Sequence, residues 1–502
     1  MSAEALFPSI PAHWKLTTLG ELAKASGGGI QTGPFGSQLH ASDYVNNGIP
    51  SIMPKNISVD SILTDDIARV SSEDITRLSK YKVHTGDIIY SRRGDVEKCA
   101  RITQEENGWL CGTGCLRVRV FPGEVSTEYL HAYLCHPNVR EWIVRHAVGA
   151  TMPNLNTSIL SALPVIVPSK SEMEQIGSSW LSISEKILIN HQINQTLEQI
   201  AQALFKSWFV DFEPVKAKIV ALEAGGSEED ALLAAMQAIS GTSLFDAGAS
   251  AAGAAEQLAR LQAEQPEQYA ELRATAELFP SAMQDSELGE IPEGWVVTQI
   301  GDEVTVVGGG TPSTKNPTFW EDGQINWTSP KDLSNLPDKV LVETVRKITE
   351  AGLSKISSGL LPVDTVLMSS RAPVGYIALA KIPIAVNQGY IAMKCEKVLR
   401  PEFVIQWCEA HMDEIKSRAS GTTFAEISKK SFKIIPLVMP PRPLVSIYSR
   451  QTSSLYEAIE NNIRESDTLE TIRDSLLPKL LSGELSLPSV KEQPELQVVA
   501  SV

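Results

Sequence analysis

The chain has 502 residues, of which 43% are hydrophobic and 21% are charged, and its formal net charge is −16. These values are typical of globular proteins, and the length accommodates three or four domains. The sequence has no apolar run near the ~18 residues of a membrane span and no signal peptide, and its six cysteines are scattered. It therefore predicts a cytoplasmic protein with reduced thiols and no membrane segment.

The negative charge is concentrated outside two neutral segments. Residues 1–170 carry 16 Lys+Arg and 16 Asp+Glu, and residues 291–441 carry the same numbers. Residues 216–290 carry 4 basic against 13 acidic side chains, and residues 442–502 carry 6 against 9. Each neutral segment can still present a basic face. The net charge therefore does not exclude DNA as a ligand, but it predicts weak binding without a basic partner.

The two neutral segments are copies of one unit of about 200 residues. Ile10-Pro11 followed by Trp14 returns as Ile291-Pro292 followed by Trp295, a shift of 281. Later matches have a shift of 272 and pair Gly149, Thr151, Leu155 and Asn156 with Gly421, Thr423, Ile427 and Ser428. A ligand with two similar half-sites suits such a chain, and duplex DNA is the commonest ligand of this kind.

Each unit contains short β-rich runs separated by Gly, Pro, Asn and Asp, which indicates a mixed α and β fold. The runs of the first unit are 87–90, 116–120 and a proline-bounded apolar strand at 163–168. Those of the second unit are 365–368, 390–393 and 435–440. The sequence therefore predicts two units of similar construction.

After each proline-bounded strand, apolar positions recur at alternating spacings of four and three, as in a coiled-coil seam. The seam positions are Ile183, Ile187, Asn190, Asn194, Leu197, Ala201, Leu204 and Trp208, and then Leu455, Ile459, Asn462, Ser466, Leu469, Arg473, Leu476 and Leu480. We expect two helices of about 40 residues that pair with each other. The alternative is a pair of ordinary amphipathic helices that pack on a core.

Polar residues on the seam affect this prediction. Asn190 and Asn462 occupy matching positions, where a buried polar side chain can fix the register. Arg473 opposes the pairing unless its stem packs and its charged end reaches water. The prediction therefore depends on how these three side chains are accommodated.

Residues 216–290 have no counterpart in the repeat. Their Ala, Glu and Gln content suggests a helical connector that is partly disordered around 241–253. The predicted segments are a first domain at 1–169, a helix at 170–215, the connector at 216–290, a second domain at 291–440, a second helix at 441–485 and a disordered tail at 486–502.

Several longer motifs match a known family over about 1–215 and 286–485. They are LFKSWFVDFEPV at 204–215, DSELGEIPEGW at 285–295, GGTPST at 309–314, FW at 319–320, WTSPKDL at 327–333, TGPFGS at 32–37, PKNI at 54–57 and LLPKLLSGEL at 476–485. The chain resembles the specificity subunit of type I restriction–modification systems. The long connector departs from the family pattern.

The resemblance implies an α+β fold with two target-recognition domains in tandem, each followed by a long helix, the two helices pairing as an antiparallel coiled coil. It implies that each domain recognises one half of a split, asymmetric DNA sequence and that the helices set the gap. It also implies two modification subunits that use S-adenosylmethionine to methylate adenine, and two restriction subunits that use ATP and Mg. The chain itself would bind none of these cofactors.

The sequence contains no catalytic motif of its own. It lacks a phosphate-binding loop, and Asn316-Pro317-Thr318-Phe319, although similar to an adenine methyltransferase motif, lacks the second proline. The glycine triplets 27–29 and 308–310 are better explained as flexible turns. Cys111, Cys115, Cys135 and His136 have spacings that fit no standard zinc module, so we expect no metal.

The candidate DNA contacts are basic, amide and hydroxyl side chains on loops. They are Lys55, Asn56, Arg92, Arg93, Thr151, Asn154, Asn156, Lys331, Asp332, Ser370, Arg371, Thr422 and Thr423. Some of these Asn and Thr side chains can instead cap turns, and Lys55 can be a solvated charge.

Two other classes of function are compatible with the repeat. One is an enzyme that acts unaided, as the recognition half of a fused methyltransferase and nuclease. The other is a scaffold whose twin domains bind proteins. The missing methylation motifs argue against the enzyme, and sequence-specific protection of duplex DNA would exclude the scaffold.

Overall fold

The structure is a computed structural model and describes residues 6–7, 10–58, 61–64, 66–121, 123, 125–149, 152–243, 251–334, 336–421 and 425–485. The chain divides into two units. The first contains the residues up to Ile189 together with those from Ser466, and the second contains Asn190–Glu465. Within the described ranges, no helix is long and apolar enough to cross a membrane.

The first unit is built from short strands and helices and ends with a long helix that continues into the second unit. Its elements are β1 (Lys15–Thr18), α1 (Leu19–Ala25), β2 (Gly29–Thr32), β3 (Tyr44–Val45), β4 (Ile49–Ile52), β5 (Arg69–Val70), α2 (Ser72–Arg77), β6 (Ile88–Ser91), β7 (Cys99–Arg101), β8 (Leu110–Cys111), β9 (Cys115–Arg119), α3 (Thr127–Cys135), α4 (Pro137–His146), α5 (Thr157–Ser161), β10 (Pro164–Val167) and α6 (Lys170–Phe209).

Two four-stranded sheets organise this unit, with the orders β2-β9-β6-β7 and β3-β5-β4-β8, and β1 pairs with β10. The main core contains residues of β6, β9 and α3, including Tyr90, Leu116 and Tyr133. The β-branched and aromatic residues of the central strands are buried, which is why these short runs form a sheet. The strands predicted near 87–90, 116–120 and 163–168 are confirmed.

After the end of α6, the second unit continues with four helices and then repeats the mixed construction. The elements are α7 (Glu213–Glu223), α8 (Glu228–Ser243), α9 (Ala251–Glu264), α10 (Pro266–Glu277), β11 (Met283–Ser286), β12 (Gly289–Pro292), β13 (Val296–Gln299), α11 (Ile300–Glu303), β14 (Thr305–Val307), β15 (Ile325–Thr328), α12 (Pro330–Leu333), β16 (Val340–Leu341), β17 (Arg346–Ile348), α13 (Glu350–Leu353), β18 (Thr365–Ser369), β19 (Ile377–Ala380), β20 (Ala385–Val386), β21 (Tyr390–Lys394), α14 (Pro401–Ala410), α15 (Met412–Ser417), α16 (Lys429–Lys433), β22 (Pro436–Met439) and α17 (Arg442–Leu481).

The sheets of the second unit correspond to those of the first. Their orders are β14-β21-β18-β19-β16 and β17-β15-β20, and β13 pairs with β22 as β1 does with β10. The middle glycine of each triplet packs tightly, since a Cβ at Gly28 would overlap the carbonyl oxygen of Arg119 and one at Gly309 that of Val386. The triplets are therefore places of close backbone approach, and the expectation of merely flexible turns is corrected.

The two long helices, α6 and α17, pack in an antiparallel arrangement. Asn190 Nδ2 donates to Glu465 Oε2 at 2.8 Å, Asn462 Nδ2 donates to Asn194 Oδ1 at 2.9 Å, and Tyr448 donates through its hydroxyl to the carbonyl oxygen of Ala201 at 3.2 Å. The buried seam positions are Ile187, Asn190, Asn194, Ala201, Leu204, Trp208, Ile459, Ser466, Arg473 and Leu480, and the half-buried ones are Ile183, Leu197, Leu455, Asn462, Leu469 and Leu476.

Arg473 is accommodated differently from the prediction. Its side chain is buried, its guanidinium lies 4.8 Å from the centre of the Trp180 ring, and its Nε donates to Asp474 Oδ1 at 3.1 Å. The helices therefore pair although the charged end of Arg473 does not reach water, which was the condition set for this residue. A cation–π contact and a neighbouring carboxylate stabilise the charge instead.

The connector helices belong to the core of the second unit. Met236, Ile239 and Phe279 are buried together with Trp208 and Trp295. Residues 244–250, part of the stretch for which we expected disorder, lie outside the described residues, as does the tail from 486. The helical character of the connector is confirmed, and its packing on the second unit is a feature that composition did not indicate.

The break between α6 and α7 comes earlier than the predicted end of the helix at 215. Phe212 adopts a left-handed conformation with φ +53°, which a helix interior does not tolerate, and Pro214 stands in the first turn of α7. The buried ring of Phe212 packs against Trp295 and stabilises this turn.

Candidate nucleic-acid interface

The predicted lysines lie on two corresponding turns. Lys55 is exposed on the 3-10 turn Pro54–Asn56 that follows β4, and Lys331 is exposed on α12, which follows β15. Each turn begins with a proline, whose fixed φ favours a helical first turn. The two turns therefore place an ammonium group at the same position in each unit, and that of Lys55 also donates to the Asp66 carbonyl oxygen at 2.9 Å.

The side chains that follow these lysines stabilise the turns. Asn56 is 1% exposed, and its side chain accepts from the Met53 amide at 3.0 Å and donates to the Leu63 carbonyl oxygen at 3.1 Å. Asp332 Oδ2 accepts from the Ser329 amide at 2.7 Å. The side chain of Asn56 is buried and not accessible to DNA, so that prediction is corrected. Asp332 caps its turn but is half-buried, and its contact with DNA stays a prediction.

In the first unit, Gly114 links the arginine segment to the lysine turn. The amide of Arg92 donates to the carbonyl oxygen of Gly114 at 2.8 Å, and a Cβ at Gly114 would lie only 3.1 Å from Pro54 Cγ. The left-handed φ of +86° at Gly114 also favours glycine. The close packing at this glycine brings the arginine segment 92–93 next to Lys55.

A third segment joins these two. Arg93 and Val148 both form β-bridges with Asn154, and the Leu155 amide donates to the Arg92 carbonyl oxygen at 2.9 Å. We call residues 54–55, 92–93, 148–149 and 152–155 the first junction. It brings together candidates that are separated by about 100 residues in the chain, a proximity that only long-range strand pairing creates.

The second unit repeats the contact between turn and arginine segment. The Ser370 amide donates to the Gly389 carbonyl oxygen at 2.8 Å, and a Cβ at Gly389 would lie 3.0 Å from Pro330 Cγ. Ser370 is buried, so its predicted side-chain contact with DNA is corrected: it positions the backbone of Arg371.

The third segment is repeated as well. Arg371 and Ser420 form β-bridges with Glu426, and the Ile427 amide donates to the Ser370 carbonyl oxygen at 3.0 Å. We call residues 330–331, 370–371, 420–421 and 425–427 the second junction. Each bond corresponds to one in the first junction, with Glu426 in the place of Asn154.

The side chains of the first junction are cationic and aromatic. Arg93 is exposed, and the half-buried guanidinium of Arg92 lies 5.9 Å from the centre of the Phe35 ring, which is 53% exposed. Asn154 is half-buried. The arrangement offers guanidinium donors, an amide and an exposed aromatic face to a ligand.

The second junction combines both signs of charge beside a cleft. Arg371 Nη1 lies 3.7 Å from Glu426 Oε2, and the two side chains are 39% and 48% exposed. A cleft of about 350 Å³ opens here, lined by Lys331, Arg371, Tyr376 and Asn387 among others. The cleft therefore places the phenol of Tyr376 and the amide of Asn387 beside the two predicted cations, Lys331 and Arg371.

The remaining candidates have other positions. Asn156 caps α5, with its Oδ1 accepting from the Ile159 amide at 2.8 Å, and its contact with DNA stays a prediction. Thr151, Thr422 and Thr423 lie outside the described residues.

Several residues around the junctions were not predicted from the sequence. Glu426 is the counterpart of Asn154 at the shift of 272, so the repeat itself could have identified it. Lys429 and Lys430 are exposed at the start of α16, directly after the second junction, and their adjacency was visible in the sequence. Tyr376 becomes a candidate only through the cleft, and no local pattern marked it.

A family model described as the type I restriction modification DNA specificity domain matches residues 11–199 and again residues 292–465. The chain belongs to this family. The type I restriction enzyme HindI specificity subunit of Haemophilus influenzae is 30% identical over 424 residues, which cover 82% of this chain and 89% of that protein. This chain is thus a specificity subunit, a DNA-recognition component without catalysis of its own.

The next relative agrees with this membership, and one solved structure is noted for its coverage of the chain. The type I restriction enzyme MjaIX specificity subunit of Methanocaldococcus jannaschii is 32% identical over 196 residues, covering 39% of this specificity subunit and 45% of that protein. A crystal structure of a type I restriction–modification S subunit from M. genitalium has 14% identity and a TM-score of 0.47, covering 95% of this chain and 97% of that one. Each of the two regions matched by the family model contains one junction.

Proposed function

We propose that this specificity subunit directs a type I restriction–modification complex to a bipartite, asymmetric sequence of duplex DNA, with each junction at one half-site. The observation that carries the proposal is the duplicated junction, which presents Arg93 in one unit and Arg371 in the other. A guanidinium can donate two hydrogen bonds to O6 and N7 of guanine or clamp a phosphate. Two such sites in one chain suit a split target.

The difference between the junctions supports an asymmetric target. Asn154 of the first junction corresponds to Glu426 of the second. An amide can pair with the N6 and N7 edge of adenine, whereas a carboxylate accepts from N4 of cytosine. The two junctions therefore favour different bases at corresponding positions of the two half-sites.

We assign phosphate contacts to the lysines. Lys55 and Lys331 are exposed on rigid turns next to the arginines, and the second unit adds Lys429 and Lys430. A lysine ammonium carries no sequence information when it meets a phosphate, but it fixes the register of the protein on the duplex. Because the units are neutral overall, we expect firm DNA binding only in the assembled complex.

In this proposal, partner subunits carry out the methylation and cleavage reactions. Two modification subunits bind S-adenosylmethionine and methylate adenine, and two restriction subunits use ATP and Mg for movement and cleavage. The repeated helical segments offer the same partner two similar docking positions. The complex acts on DNA in the cytoplasm, and this chain binds none of these cofactors.

The helix pair sets the gap between the half-sites. The boundary between the two units falls inside α6 and inside α17, so both helices are continuous across it. A helix rises 1.5 Å per residue, which makes the length of the pair a measure of distance along DNA.

The proposal is tested by mapping adenine methylation in a genome whose cells express this chain with its modification subunit. We expect one methylated sequence with two specific parts and a fixed gap. The double variant Arg93→Ala with Arg371→Ala should lose or relax this specificity. Arg260→Ala, which removes an exposed arginine from α9, is the matched control. Methylation of a contiguous sequence, or the same pattern without this chain, would refute the proposal.

A further inference from the structure

Four side chains of the first unit form a cluster in its core. Tyr90 and Cys99 are direct partners in the antiparallel ladder of β6 and β7, so their side chains emerge on the same face of the sheet. His131 and Cys135 lie one helical turn apart on α3, which packs on β7. All four side chains are buried.

Two of the distances within this cluster fit a tetrahedral metal site. Cys99 Sγ lies 3.9 Å from Cys135 Sγ, Cys135 Sγ lies 3.6 Å from His131 Nε2, and the three ligand atoms are all within 4.8 Å of one another. Zinc with bonds of about 2.3 Å to sulfur and about 2.05 Å to nitrogen would separate two sulfurs by about 3.8 Å and a sulfur from a nitrogen by about 3.6 Å. Both observed pairs agree with these separations within about 0.1 Å.

We propose that Cys99, His131 and Cys135 bind a structural zinc ion, with the oxygen of Tyr90 as the fourth ligand. These ligands differ from the group Cys111, Cys115, Cys135 and His136 that the sequence suggested, because Cys111 and Cys115 lie in a separate core cluster. The sequence could not identify the site, since its ligands come from a strand and a helix about 30 residues apart, with no standard spacing.

Tyr90 supports the proposal independently. Its hydroxyl is buried, makes no hydrogen bond of ordinary geometry within the described residues, and faces the Cys99 thiol, which is only a weak hydrogen-bond partner. A buried hydroxyl without a strong partner is costly. A metal ion next to the opposing Cys99 would satisfy this oxygen.

The second unit shows that the fold does not require this cluster. The ladder positions of Tyr90 and Cys99 are occupied there by Met368 and Ile377, which are direct partners in β18 and β19 and are both buried. Apolar packing is therefore sufficient at this place in the fold. The first unit instead places two thiols, an imidazole and a phenol here, which are groups that a metal ion binds.

The test measures zinc in the full-length chain purified without chelators, by mass spectrometry. We expect about one zinc per chain, and less than about a tenth of that in the double variant Tyr90→Met with Cys99→Ile. This variant carries the apolar pair of the second unit, so the core stays filled and the chain should still fold. Cys111→Ser, which alters a buried cysteine outside the cluster, should keep its zinc.

Cobalt provides a second measurement that does not depend on purification history. Chain refolded with Co²⁺ should show the thiolate-to-metal charge-transfer absorption of a tetrahedral sulfur site, and the double variant should lose it. Wild-type chain that takes up neither metal and whose Cys99 and Cys135 titrate as free thiols would overturn the proposal. A disulfide between these two cysteines in freshly purified chain would overturn it as well.

Discussion

The substitution Arg371→Ala tests the assignment of base recognition to the second junction. The ion pair with Glu426, at 3.7 Å and about half exposed, contributes at most about 1 kcal/mol to folding, so the variant should remain folded. Loss of a bidentate contact to guanine should cost about 1–3 kcal/mol of binding free energy. The dissociation constant of the complex for its own site should therefore rise by roughly 5- to 150-fold.

The measurement is fluorescence anisotropy with the assembled modification complex and two sets of duplexes, each altered in one half-site. Arg371→Ala should lose discrimination only at the half-site of the second unit. Lys331→Ala, on the neighbouring turn, should weaken binding to all duplexes alike and reduce the salt dependence by about one unit. Unchanged affinity and preference for Arg371→Ala, or an equal loss on every duplex, would refute base recognition by this arginine.

Three further predictions follow from the same structure. Arg93→Ala should change discrimination only at the other half-site, and a loss at both would contradict separate recognition. Insertion of seven residues after Ile189 and of seven after Glu465 lengthens α6 and α17 by about 10 Å each. The gap between the half-sites should therefore grow by about three base pairs, with the half-site sequences unchanged. An unchanged gap would rule out the helix pair as its determinant. Burial lowers the pKa of His136 to about 4, and its Nδ1 accepts from the Asn138 amide at the start of α4. Folding thus favours the neutral form of His136, and about 3 kcal/mol of folding free energy should be lost as the pH falls from 6.5 to 4. The variant His136→Asn should still cap α4 but should lose less stability over this range, as measured by urea titration. The same pH dependence in the variant and the wild type would contradict this prediction.

Local patterns determined much of what the sequence could predict. The proline-bounded strands at 163–168 and 435–440 and the alternating spacings around Asn190 and Asn462 depend on neighbouring residues. These elements can therefore be recognised from periodic patterns in the sequence. The internal repeat also predicted that both units would have the same construction.

The functions of individual polar residues depend on distant contacts. Asn56 and Asp332 were attractive DNA candidates by type and position, yet the geometry of the turn occupies both side chains. The cluster of Cys99 with His131 arises because a helix packs on a particular strand pair. Neither outcome is encoded in residue spacing, since both depend on tertiary packing rather than on local periodicity.

The central claim is that each unit recognises its own half-site. It is tested most directly by exchanging residues 1–169 for the corresponding domain of another specificity subunit and mapping the adenines that the resulting complex methylates. We predict a new sequence in one half of the target, with the other half and the gap unchanged. Changes in both halves, or in neither, would contradict the claim.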